Sequence, residues 1–240
     1  MQLNYFSVTF WFNIYQKHNE ILNLFQENFK EEYNSFSVFN YTDNLVAPII
    51  RGVSSHKKTN ISFSQINLQY TMDDISLDNF KEIKENTQKI FEFLVSNNIQ
   101  VSHTSLYLNG ELIDDDALNV ITNNTISNTI KSDDLVDISL KLGKKHEDLF
   151  YKIINILNKK KLKIPETIDD SNRLQPIPLI SWHDAKIENE IIEFSYEIND
   201  KYSFDFTKNY HTTDFYLNKM LYILTNDFQD ELNNLINGKF

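Results

Sequence analysis

The sequence predicts an α+β protein of two similar βαβββα halves, their strands forming coiled or barrel-like antiparallel sheets with helices packed against them. Three observations carry this prediction. Apolar residues alternate with period two over several runs, they recur every three to four residues over others, and the order strand, helix, three strands, helix occurs twice. The halves span 1–98 and 135–240, joined by a connecting strand and polar segment over 99–134, in one compact unit of 240 residues.

In the first half, Phe6, Val8, Phe10, Phe12 and Ile14 share one face of a strand from Asn4 to Tyr15, with Tyr5 and Trp11 on the other. His18 and Asn19 suit a helix start, and Ile21, Phe25, Phe29 and Tyr33 follow one turn apart. Strands are expected at Phe36 to Tyr41, Leu45 to Val53 and Ile61 to Met72, the middle one at an edge or bulge because it contains Pro48. In the third, Ile61 and Phe63 occupy odd positions while Ile66, Leu68, Tyr70 and Met72 occupy even ones. A one-residue change of phase turns the buried set over, which predicts a bulge or bend near Ser64 to Ile66. Ser76 then caps a helix from Leu77 to Ser96 whose stripe is Phe80, Ile83, Thr87, Ile90, Phe91 and Leu94.

The linking segment holds a strand, Gln100 to Leu112, and a polar stretch from Ala117 that suits a helix capped by Asp116. In the second half Leu135 to Leu142 alternates as a strand, and Leu149, Phe150, Ile153, Ile154 and Leu157 fit a helix from His146 to Lys160. Strands are expected at Ile177 to Trp182, Ile187 to Ile198 and Tyr202 to Thr207, the last two joined by a tight turn. A closing helix starts at Thr212 or Thr213, carries Leu217, Leu221, Leu224, Phe228, Leu232 and Leu235, and stops at Gly238.

Composition narrows the chemistry. There is no cysteine, so disulfides, thiolate metal sites and a cysteine nucleophile are out. Four glycines, none clustered, leave no glycine-rich phosphate loop. The formal charge is -11, and only Arg51 and Arg173 are arginines, which argues against direct nucleic-acid binding. No apolar run has the length of a membrane span, and the N-terminal text alternates like a strand instead of reading as a leader, so a cytoplasmic protein is expected.

Two carboxylate groups stand out. LISWHDAKIE, with Asp169 and Asp170 upstream, resembles the Asp…Asp-x-Lys order of metal-dependent nucleases, where two carboxylates hold Mg2+ and the lysine orients water. This gives one functional reading, a nuclease or phosphodiesterase using Asp170, Asp184 and Lys186. Asp114, Asp115 and Asp116 form a cluster suited to turn chemistry or a partner's basic surface, and Glu188 and Glu190 are further partner-facing candidates. The six histidines are scattered, without the helical spacing that holds a metal.

Asn60 to Glu111 resembles a sporadically distributed bacterial family in which a central strand, a helix and a strand containing R-Y-x-N follow in order. The matching text is SQINLQYTMDD, the helix to Asn98, and SLYLNGEL, where Tyr107 and Asn109 match and Leu106 stands in the arginine position. Its patchy distribution implies a role in mobile elements, phage conflict or a similar accessory system. The leading expectation is therefore a non-enzymatic acidic protein of the cytoplasm, without cofactor or metal. It would hold a protein partner with a basic surface, or a second copy of itself, as a phage-defence, counter-defence, antitoxin or immunity component. A nucleic-acid mimic that blocks a DNA-binding protein is the variant in which the carboxylates gather on one face.

Overall fold

Strand β1 (Gln2–Phe12) sits in the middle of the sheet because both its flanks are paired and one face is wholly apolar. Phe6, Val8 and Phe10 are fully buried, while the alternate residues Tyr5, Thr9 and Trp11 face the other way. The computed structural model describes residues 1–40, 45–113, 139–146, 150–163, 186–200 and 211–237, with side chains described to 158 and from 190 within that range.

After β1 come α1 (His18–Asn28), β2 (Ser35–Val38), β3 (Ile50–Ser54), β4 (Thr59–Phe63), β5 (Asn67–Asp73), α2 (Phe80–Ser96), β6 (Val101–Ile113), β7 (Ser139–His146), β8 (Phe150–Lys163), β9 (Lys186–Asn199), α3 (Asp214–Tyr222) and α4 (Phe228–Ile236). The nine strands form one antiparallel, open sheet in the order β2-β3-β4-β5-β1-β6-β9-β8-β7. The expected α+β class and antiparallel strands are present, with the strands in one open sheet. Its edges are β2 and β7.

The helices cover the apolar face. Phe25 of α1 and Tyr33 beyond it press on Gly52, where a side-chain carbon would come within 2.8 Å of the Phe25 ring. Phe91 of α2 lies 5.9 Å from Phe10, and Phe228 of α4 lies 6.3 Å from Tyr196 of β9. α2 and the C-terminal helix also meet each other, through Phe80 with Phe228 at 5.6 Å and a hydrogen bond from Gln88 to Asn218.

Two buried polar clusters tie the layers. Asp200 is fully buried at the end of β9, and accepts from the Thr104 amide at 2.7 Å and the Thr212 hydroxyl at 2.6 Å. Lys152 of β8, 1% exposed, donates to Glu231 of α4, whose second oxygen accepts from the Tyr196 hydroxyl at 2.9 Å. Buried charges persist only when paired in this manner.

Several expectations hold and several do not. Ser76 caps α2, reciprocally with Asn79, through a 3-10 turn at Leu77–Asn79. Thr213 caps α3, accepting from the Tyr216 amide, and a π turn at Ile223–Asp227 separates α3 from α4. The residue before α1 is Lys17, with no side-chain cap, and α1 ends at Asn28, although Phe29 and Tyr33 remain buried in the turns that follow. β3 begins after Pro48 and is internal, so the proline lies outside the ladder.

The change of phase at Ser64 to Ile66 is a hairpin, not a bulge. Phe63 pairs with Leu68, Ile61 with Tyr70 and Thr59 with Met72, and all six are buried. Paired positions in this hairpin sum to an odd number, so residues on one face must switch parity across the turn. Ser64 builds the turn: its hydroxyl accepts from the Ile66 and Asn67 amides at 3.2 and 3.0 Å and donates to the Asn67 side chain at 2.8 Å.

The expected helix from His146 to Lys160 is strand β8. Phe150, Lys152, Ile154, Ile156 and Asn158 alternate on the buried face, and the polar Lys152 and Asn158 break the apolar alternation that would have identified a strand. The second βαβββα unit is accordingly not reproduced among the described residues. The expected strands at Ile177 to Trp182 and Tyr202 to Thr207, the polar helix from Ala117, and Gly238 lie outside the described residues. Among those described, no helix is long and apolar enough to cross a membrane.

Candidate functional site

The face of the sheet opposite the helices is where alternation puts the polar half of every strand. Reading across the ladder, Arg51 of β3 stands beside Ser62, then Gln69, then Thr9. One step along, Asn60 lies beside Thr71, which is followed by Ser7, Tyr107 and Glu197. On the far side Asn109, Ser195, Asn155 and Lys141 form a similar row. No described helix covers this face.

Side chains link across it. Asn60 donates to Thr71 at 3.2 Å and to Asp73 at 3.4 Å, and its carbonyl oxygen accepts from Arg51 at 3.4 Å. Ser105 and Asn199 both donate to Glu197 at 3.2 Å, and Asn155 donates to Ser195 at 2.9 Å. Trp11 stacks on His103 with rings 9° apart and centroids 5.6 Å apart, and Tyr5 meets Tyr107 edge-on at 6.1 Å. Burial, opposed by a hydrogen bond from Ser7, raises the Tyr5 phenol above its ordinary range. The Asn109 side-chain oxygen is buried on this face with no hydrogen-bond partner among the described residues.

Over β3, β4, β5 and β1 the face deepens into a trough of about 510 Å³, with Tyr5 and Trp11 on β1, Arg51 and Asp73 across the floor, and Val46 and Pro48 as one wall. Over β6 and β9 it is acidic. Glu111 and Glu193 stand directly opposite one another, and Glu197 points to the same side four residues on.

The chain matches no protein-family model and no curated protein. Function therefore rests on the residues themselves.

Of the candidates from sequence, Asp114, Asp115, Asp116, Asp170 and Asp184 lie outside the described residues. Lys186 opens β9 opposite Lys163, and Glu188 falls at the register shift near Leu162, their side chains being outside the description. Glu190, half-buried opposite Lys160, falls by alternation on the helix-bearing side of the sheet and away from Glu193 and Glu197. Leu106 and Leu108 of the resembling strand are core, whereas Tyr107 and Asn109 face the open side. His146 ends a strand, and His103 is part of the open face. Among the described residues no three His, Asp or Glu gather to hold a metal.

As a unit the open face has no local signature in the sequence. Its signal is the polar half of each alternation, Ser7 and Thr9, Gln69 and Thr71, Ser105, Ser195 and Glu197, which only strand order brings together.

Proposed function

We propose that the protein is a non-enzymatic binding protein of the cytoplasm, receiving a protein partner with a basic surface on the open face of its sheet. The observation that carries this reading is the set of carboxylates Glu111, Glu193 and Glu197 on the open face of β6 and β9. Complementary charge on an arriving cationic surface speeds and orients the encounter. The net charge of -11 acts in the same direction. An accessory role in phage defence, counter-defence or immunity agrees with the resemblance through Tyr107 and Asn109.

The finer fold reading, duplication of one unit, belongs with this proposal, with the boundary moved so that β6 opens the second copy. Outward from the central β1·β6 pair, β5, β4 and β3 answer to β9, β8 and β7. If Ser7 and its partner Tyr107 mark the pseudo-two-fold, then Tyr70 answers to Tyr196, Thr59 to Lys152 and Arg51 to Lys141. Tyr70 and Tyr196 are both buried and both bonded to the overlying helix, through Asn86 at 3.0 Å and Glu231 at 2.9 Å.

The reading is tested by charge reversal at Glu193 and Glu197. The double variant Glu193→Lys, Glu197→Lys is expected to lose a salt-sensitive protein partner held by the wild type, with its circular dichroism spectrum unchanged. A partner retained in full by that variant removes the proposal.

A further inference from the structure

We propose that the trough over β3, β4, β5 and β1 is a carbohydrate site that takes a short neutral oligosaccharide, a role independent of the carboxylate surface on β6 and β9. Its floor is the row Ser62, Gln69 and Thr9, three adjacent strands contributing a hydroxyl, an amide and a hydroxyl. None of the three has a side-chain hydrogen-bond partner among the described residues. Each can both donate and accept, as a sugar hydroxyl does. Arg51 and Asp73, one cation and one anion on the same floor, add no net charge to the trough.

Tyr5 and Trp11 lie at the two ends, six residues apart on β1, which is about 20 Å along a strand. Aromatic surface at both ends with hydrogen-bonding groups between suits a chain whose units have apolar C–H faces and polar rims. The stack on His103 fixes the orientation of the Trp11 ring, and a volume of about 510 Å³ is that of a small-molecule site. A nucleic acid would require a basic floor, and an extended peptide finds its backbone partners at an open strand edge, here β2 or β7, instead of on a sheet face.

The test is calorimetry together with tryptophan fluorescence in a Trp182→Phe background, where Trp11 is the sole reporter. The probes are maltohexaose, cellohexaose and the fully N-acetylated chitohexaose, each titrated to about 10 mM. At least one probe is expected to saturate and shift the Trp11 emission, and Gln69→Ala is expected to weaken it about tenfold at unchanged melting temperature. No saturable signal from any probe overturns the proposal, as does binding unaffected by both Gln69→Ala and Trp11→Phe. A basic peptide that saturates the trough and is lost on Asp73→Asn would also overturn it, while leaving the binding-protein reading in place.

Discussion

Lys152 is a charged residue at a core position, and it survives there because Glu231 reaches it from α4. Glu231 is 23% exposed whereas Lys152 is 1% exposed, so the two deletions differ in cost. Glu231→Ala leaves a buried ammonium without its counter-ion and is expected to destabilise by about 3–5 kcal/mol, whereas Lys152→Met leaves a carboxylate that water can reach and is expected to destabilise less. Chemical denaturation of the two variants measures the difference. Thr87 is the converse case, its hydroxyl fully buried in α2 with no partner among the described residues. Thr87→Val is expected to raise stability by about 1 kcal/mol in the same assay.

The buried phenols set an alkaline limit. Burial first, then nearby carboxylates, holds the Tyr33, Tyr70 and Tyr196 hydroxyls well above their ordinary range. A tyrosine in the unfolded chain ionises near pH 10, so these groups contribute stability that is intact below about pH 10 and is lost as pH rises towards their folded values. Unfolding above about pH 10 should coincide with the part of the phenolate absorbance change that Tyr33→Phe, Tyr70→Phe and Tyr196→Phe remove. Phenolate signal from these residues without unfolding would show that they are not buried as described.

The β4–β5 hairpin shows what strand-scale reasoning can and cannot extract from text. The period-two alternation of Ile61 to Met72 is visible in sequence, and so is the change of phase, but no glycine, proline or Asn-Gly marks the reversal. The turn depends on the Ser64 hydroxyl, so Ser64→Ala is expected to cost about 1 kcal/mol, read from the melting temperature. In β1, α2, β6 and the closing helix one periodicity dominates, and those elements were predictable to within a few residues. β8 was not, because Lys152 and Asn158 occupy buried positions while Ile153 and Leu157 stand on the open face, a pattern that fits a helix equally well. Lys152 owes its tolerance at a core position to Glu231 of α4, a partner far away in sequence.

At the scale of the molecule, the described helices cover one side of the sheet and leave the other polar, and that division locates the proposed binding surface. The polar residues of the open face are unremarkable one strand at a time, because half of any surface strand is polar. Strand order gathers them, setting Arg51 and Lys141 seven strand positions apart with carboxylates and aromatics between. On the helix-bearing side, Gly110 lets β6 lie close to β1 and β9, since a side-chain carbon there would meet the Gln2 carbonyl oxygen at 2.3 Å and the Phe194 ring at 2.7 Å. Gly110→Ala is expected to loosen the β1–β6 pairing and destabilise by about 2–4 kcal/mol, measured by denaturant titration.

Binding through the open face is tested most directly by affinity capture from the host at low and high salt in three forms: wild type, Glu193→Lys on the open face, and Glu85→Lys on the exposed side of α2. The expected result is one stoichiometric partner with wild type and Glu85→Lys, lost with Glu193→Lys and at high salt. A partner captured equally by Glu193→Lys, or lost only with Glu85→Lys, would contradict the assignment of the open face as the binding surface.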